Sequence, residues 1–214
     1  MNEIIIRDIV EADLPALKSL IAEAFGKGWN LERYYKDEHL AGALLGIYLS
    51  IFLEPGTFGK VAAVDGEVVG VVLCSVNGQK PKFRQLLTDT APNTLTLLAA
   101  AEDMRLDVVE HMSTSFQTIG GLLEDRMGAY DGGLELLAVT ERARGLKIGK
   151  ALWEEACAYY NSEGAKTIYL IADSDCNFGF YDNNGFTRAA ARKAEYNYTT
   201  GQRITQVYVY EYRF

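Results

Sequence analysis

The run Arg144-Gly145-Leu146-Lys147-Ile148-Gly149-Lys150 sets three cations and two glycines between an apolar stretch, 134–139, and the start of a helical one. A strand that enters a helix through a glycine loop gathers free backbone N–H groups at the positive end of the helix dipole. Such a place binds anions. Two nucleotide motifs fail here. Gly145 to Gly149 is one residue short for a P-loop, and Ala151 stands where Ser or Thr would hold Mg²⁺. The spacing Gly-x-Gly-x-x-Gly of dinucleotide sites is absent. The plain alternative is an ordinary strand-to-helix loop with Arg144 and Lys147 solvated.

Glu135 is the one charge on the preceding apolar stretch, between Leu134 and Leu136. Strand alternation would turn it to the face opposite theirs. Burial would raise its carboxyl pKa into a range useful for a base, whereas a surface-facing or paired Glu would have a purely structural role. Asp173 and Asp175, at the end of a later strand-like run, are second choices. Cys176 lies beside them, but the chain has only two histidines, His39 and His111, neither in a pairing context. A small buried thiol is therefore expected, not a nucleophile. Cys74, Cys157 and Cys176 have no metal or redox spacing, so no metal is expected.

The elements that position these residues follow from periodicity. Residues 3–9 read as a strand. Asp13 would cap a helix with Pro15 in its first turn, carrying Leu14, Leu17, Leu20, Ile21, Ala24 and Phe25 on one face. A second helix is expected over 31–53, aromatic at its front (Trp29, Arg33, Tyr34, Tyr35, His39) and apolar behind. Its apolar run from Leu40 to Leu53 is too short for a membrane span, which needs about 20 residues. Asp65-Gly66 between two strand-like runs signals a hairpin. Residues 78–128 turn helical and more polar. A long helix is expected from near Asp107, with Val108, Val109, Met112, Phe116, Ile119, Leu122, Leu123 and Met127 on one face. Then come a strand, a helix, a strand over 166–172, a short helix over 177–184 ended by Gly185, and two closing strands. In the last of these, Tyr208, Tyr210, Tyr212 and Phe214 share a face opposite Val207, Val209, Glu211 and Arg213. The order predicts a mixed α/β domain with one strand–helix–strand crossover in its second half.

At this point the chain resembles the GNAT superfamily of acyl-CoA-dependent N-acyltransferases. The resemblance rests on Leu137-Ala138-Val139 followed by Arg144-Gly145-Leu146-Lys147-Ile148-Gly149. It rests equally on Asp175-Cys176-Asn177-Phe178-Gly179-Phe180-Tyr181-Asp182-Asn183-Asn184-Gly185-Phe186. The start of the chain and the Asp65-Gly66 hairpin fit as well, so 78–128 alone reads as a helical insertion, between the third and fourth strands of a single GNAT-like domain over 1–214. The family usually has glycine at Lys147. A lysine with negative φ would keep the donor N–H groups, and its ammonium would either add charge or point into water.

The resemblance implies an acetyl-CoA-dependent N-acetyltransferase. It puts acetyl-CoA on Leu137, Ala138, Val139, Arg144, Gly145, Leu146, Lys147, Ile148, Gly149, Lys150, Asn177 and Phe180. Its pantetheine would lie along a splay beside Leu137 and Val139. Tyr181 is then the candidate general acid beside the sulfur, or else a ring packed under the cofactor, and Glu135 the candidate base. The expected acceptor is an amine of a small molecule or peptide, seated between Trp29, Tyr34, Tyr35 and the inserted helices. The alternative is a non-catalytic acyl-CoA sensor of the same fold. A net charge of −8 argues against nucleic acid and mildly favours a cationic acceptor. The N-terminus lacks the pattern of a signal peptide, and the cysteine usage fits a reducing cytoplasm. No membrane partner is expected, and a homodimer is left open.

Overall fold

A computed structural model of the chain describes residues 3–26, 34, 37–87, 90–176 and 178–214. Seven strands form one sheet in the order β1-β2-β3-β4-β5-β7-β6. The strands are β1 (Ile4–Asp8), β2 (Phe58–Val64), β3 (Glu67–Val76), β4 (Gly132–Val139), β5 (Thr167–Asp173), β6 (Thr187–Tyr198) and β7 (Gly201–Arg213). Each neighbouring pair is antiparallel except β4 with β5. The β2–β3 hairpin turns at Asp65 and Gly66, both with positive φ (51° and 86°), as an Asp-Gly turn requires.

Helices cover both faces. They are α1 (Leu14–Phe25), α2 (Glu38–Leu53), α3 (Thr90–Ala99), α4 (Glu102–Leu123), α5 (Ile148–Ser162) and α6 (Gly179–Asn183). On one face α5 buries Ile148, Leu152, Trp153, Ala156 and Tyr160 against Val72, Cys74, Ile168, Leu170 and Tyr210. Each such aliphatic side chain contributes roughly 1.5–3 kcal/mol through lost water contact. On the other face α1 and α2 pack Leu17, Ile21, Leu44 and Leu49 onto Val61, Val71 and Leu73. Further along that face, Leu122 and Leu123 of α4 meet Ala194, Tyr196, Val207 and Val209. The expected split of β7 holds: its tyrosines join the α5 side and its valines the α4 side.

Local readings changed in three places. Asp13 stands at the N-cap of α1 but its side chain does not cap it, because its carboxylate is taken by the two terminal Arg7 guanidinium nitrogens (2.7 Å each) and the Val10 N–H (2.9 Å). The second helix begins at Glu38, where the Asp37 carboxylate accepts from the Leu40 N–H at 3.0 Å. Leu31, Glu32, Arg33, Tyr35 and Trp29 lie outside the described residues. Helix α4 starts at Glu102, before Asp107, and ends before Met127, while Val109 and Phe116 are exposed. The buried face of α4 is more polar than an apolar count suggests. Asp107, His111 and Thr118 are buried along it, where they or their neighbours bond to β6. Among the described residues no helix is long and apolar enough to cross a membrane.

Candidate active site

The parallel strands β4 and β5 pair only at Gly132 with Ile168 and Gly133 with Tyr169, and then splay apart. Gly132 and Gly133 form the vertex, and at Gly132 nothing larger fits. A Cβ on Gly132 would lie 2.0 Å from the Ser75 carbonyl oxygen, and one on Gly133 2.7 Å from Glu135 Oε1. From the other side the Tyr160 hydroxyl donates to the Gly133 carbonyl at 2.6 Å. On its β3 side β4 stays paired, and the Thr140 N–H reaches the Val69 carbonyl at 2.9 Å. Antiparallel alternation then turns the backbone groups of Ala138 and Leu136 toward β3. Those of Leu137 and Val139 face the open gap.

At the top of the splay β4 runs through a short 3₁₀ turn (Glu141–Ala143) into the loop before α5. Gly145 and Lys147 both adopt positive φ, 84° and 60°. Lys147 thus stands in the left-handed region, so the condition of a negative φ is not met there. It is the N-cap of α5 and offers no side-chain cap. Among the described residues the N–H groups of Gly145, Lys147, Ile148, Gly149 and Lys150 have no acceptor; Ala151 is the first to bond back, to the Lys147 carbonyl at 3.0 Å. Several donors therefore converge at the positive end of a helix dipole. Arg144 pairs loosely with Glu141 (3.2 Å) and Lys150 with Glu154 (3.9 Å), all well exposed and free to turn to another anion.

Glu135 sits where the β3–β4 register slips. Leu73 pairs with Leu136 and Cys74 with Leu134, so Glu135 is the extra residue of a β-bulge. The bulge breaks simple alternation. Leu134 joins the α5-side core while Leu136 and Ala138 join the α1/α2 side, so Leu134 and Leu136 do not share a face as expected. The Glu135 carboxylate accepts from the Ser75 hydroxyl at 2.5 Å. It lies near the Tyr169 ring, which packs with the α4-side cluster. Desolvation raises its pKa above the usual carboxylate range, and the Ser75 hydrogen bond opposes this in part.

Tyr181 lies on the other face. It is carried by α6 and packs in the α5-side core, its ring 5.4 Å from Phe186 and 5.6 Å from Tyr210. Burial, with smaller effects from Cys176 and Tyr210, pushes its phenol well above 10, so it keeps its proton at neutral pH. Its hydroxyl makes no hydrogen bond to another described residue. Phe180 reaches across to α5, where a Cβ on Gly149 would be 3.5 Å from its ring and 3.8 Å from Val139. The α6 segment therefore closes onto the loop end of the splay.

The family model for the acetyltransferase (GNAT) family matches residues 14–186, well over half the chain. The chain belongs to the GNAT acetyltransferase family. Solved GNAT structures share the fold over nearly the full length. The PaiA N-acetyltransferase of Thermoplasma acidophilum, in complex with coenzyme A, is 15% identical with a TM-score of 0.51, and 99% of each chain is covered. The ribosomal-protein-S18-alanine N-acetyltransferase of Escherichia coli is 13% identical with a TM-score of 0.53, over 99% of this chain and 94% of that one. The IAA acetyltransferase of Bacillus cereus ATCC 14579 is 14% identical with a TM-score of 0.51, over 99% of this chain and all of that one. No curated protein matches the sequence.

The GNAT family implies acyl transfer from CoA, and the residues present fit that group. Unpaired loop N–H donors suit a pyrophosphate, and the gap beside Leu137 and Val139 suits an amide-bearing arm. Glu135 and Tyr181 lie on opposite faces of the sheet, with the splay between them. The second-choice carboxylates are engaged elsewhere. Asp173 accepts the N–H groups of Asp175 and Cys176 (3.0 and 3.1 Å), and Asp175 pairs with Arg203. Burial and Asp173 push the Cys176 thiol up to about 11, which suits an inert thiol. Tyr34 is buried in the α1/α2 core, while Asn177 lies outside the described residues. Among these, no group of three His, Cys, Asp or Glu side chains is placed to hold a metal. Ser75, and the part Gly132 and Gly133 play at the vertex, were not read from the sequence. The glycine pair was the available signal, since glycine inside a strand marks close backbone approach.

Proposed function

We propose that this GNAT protein transfers an acetyl group from acetyl-CoA directly to an amine of a small molecule or peptide. The observation that carries the reading is the splay itself, open between β4 and β5, with a carboxylate on one face and a protonated phenol on the other. Acetyl-CoA supplies a thioester, whose carbonyl carbon accepts the amine and whose thiolate leaves. The N–H groups of Gly145, Lys147, Ile148, Gly149 and Lys150 hold its pyrophosphate, with Arg144 and Lys147 adding charge. Leu137 and Val139 offer backbone partners to the pantetheine arm. Glu135 takes a proton from the amine as the C–N bond forms. Tyr181 gives a proton to the sulfur as the C–S bond breaks, so an amide and the CoA thiol result. The acidic balance of the chain favours a cationic amine, which gives one proton to solvent before it attacks and the second to Glu135.

Thermal melting with acetyl-CoA, CoA and ATP tests the binding half. A ligand at 100 times its dissociation constant adds about 2.7 kcal/mol, so both CoA species should raise Tm and ATP should not. Thiol release across an amine panel tests the reaction. Tyr181→Phe should lower kcat by about 100-fold while leaving CoA affinity nearly intact. Binding without any turnover across the panel would make the protein an acyl-CoA sensor instead.

A further inference from the structure

We infer that Ser75 is a positioning residue: its hydroxyl fixes the Glu135 carboxylate at the foot of the splay and so sets when Glu135 can accept a proton. The inference rests on the reading of Glu135 as base. Cys74 and Val76 point into the α5-side core. Ser75, between them, turns to the opposite face, where its Oγ donates to Glu135 Oε1 at 2.5 Å and accepts from the Gly133 N–H at 3.1 Å. The Gly133 bond directs the hydroxyl hydrogen away from the backbone and onto the carboxylate, because a hydroxyl has one proton to give. The bulge turns Glu135 toward this partner, and Gly133 has no side chain to displace it. Oε1 is thereby occupied, and among the described residues Oε2 has no partner, which leaves it for the acceptor's proton.

No other group here can do the same job. Glu135 makes no ion pair among the described residues. The titratable group facing it is Tyr169 on β5, with Tyr130 tilted against Tyr169 at 5.1 Å; Tyr160 on α5 and Cys74 on β3 act on it electrostatically from the other face of the sheet. Burial holds all of them in their neutral forms: Tyr169 and Tyr130 are pushed up to about 12, and Tyr160 and Cys74 also rise. The Ser75 hydroxyl is thus the group that stabilises the ionised carboxylate against desolvation. Losing it should raise the proton affinity of Glu135 and let its side chain turn.

The pH profile of kcat/KM tests this in the full-length protein with acetyl-CoA and a responsive amine. In Ser75→Ala the acid limb should move to higher pH and the rate at pH 7 should drop about tenfold, with acetyl-CoA affinity unchanged. Ser75→Thr, which restores the hydroxyl, should bring the limb back. Carboxyl ¹³C shifts of Glu135 followed through a pH titration give a readout independent of turnover, and Ser75→Cys, with a weaker donor, serves if Ser75→Ala does not fold. An unchanged limb and unchanged Glu135 titration in these variants, while Glu135→Gln abolishes the limb, would overturn the role of Ser75 and leave the base in place. If Glu135→Gln keeps both limb and rate, the base assignment itself is wrong and the inference goes with it.

Discussion

Lys147 pays a conformational cost at the tip of the anion loop. A non-glycine residue at φ 60° crowds its Cβ against the neighbouring carbonyl, worth about 1 kcal/mol. Lys147→Gly removes that strain but enlarges the entropy of the unfolded chain, so a gain of at most about 1 kcal/mol in urea unfolding is expected. CoA affinity should fall a few-fold at low salt as the ammonium is lost, and this difference should shrink as salt rises. A loss in affinity that ignores salt would mean that the lysine charge is idle. Glu135 has the opposite character. Its pKa is raised by desolvation, so the folded state binds its proton more tightly than the unfolded one does. The stability it contributes is complete below the unfolded carboxylate pKa and lost as pH rises through the folded value. Glu135→Gln should therefore melt at higher temperature than the parent at pH 7 while losing activity, as measured by calorimetry beside turnover. Both positions stood out in the sequence by type alone, one as a lysine where glycine is usual, the other as a lone charge in an apolar run. Neither the φ of Lys147 nor the bulge under Glu135 could be read there, because both depend on which strands pair and in what register.

At the scale of elements, the vertex of the splay is the feature the rest depends on. Gly132→Ala would put a methyl carbon against the Ser75 carbonyl, backbone against backbone, with no flexible side chain to yield. A loss of about 2 kcal/mol or more is expected, together with weaker CoA binding as β4 moves off β3. Chemical denaturation alongside a CoA titration checks it, and a variant of parental stability would show that β4 adjusts freely. Strands with β-branched runs and the Asp-Gly hairpin were legible because their signals are local. The start of α2 and the inward face of α4 were not. Asp37 overrides the apolar count by capping at 38, and α4 buries Asp107 and His111 because Thr199, in the turn after β6, and Tyr198 of β6 offer them partners.

Across the whole molecule, α4 ties the segment between β3 and β4 to the far end of the sheet. His111 Nδ1 lies 2.7 Å from the Tyr198 hydroxyl, and its ring stacks on Tyr196 at 5.0 Å. Asp107 and Glu110 accept N–H groups of Thr199 and Asn197 at 2.6 and 2.8 Å. Burial, with Arg203 adding to it, lowers the His111 pKa from 6.5 to about 4, so the folded state holds it neutral. Stability from this residue is present above pH 6.5 and drains away as pH falls toward 4, by about 3 kcal/mol in all. His111→Phe should flatten that acid dependence in Tm measured from pH 7 to 4; an unaltered slope would assign it to other groups.

The gap between β4 and β5 also leaves the protein with an internal strand edge when nothing lies in it. Amides of Leu137 and Val139 should then exchange with deuterium quickly for residues so deep in a sheet, and slow sharply once an acyl carrier lies along them. An unpaired edge is also a template for another strand, including one from a neighbouring chain. The ligand-free protein should therefore be the aggregation-prone form, and coenzyme A in the storage buffer its simplest remedy.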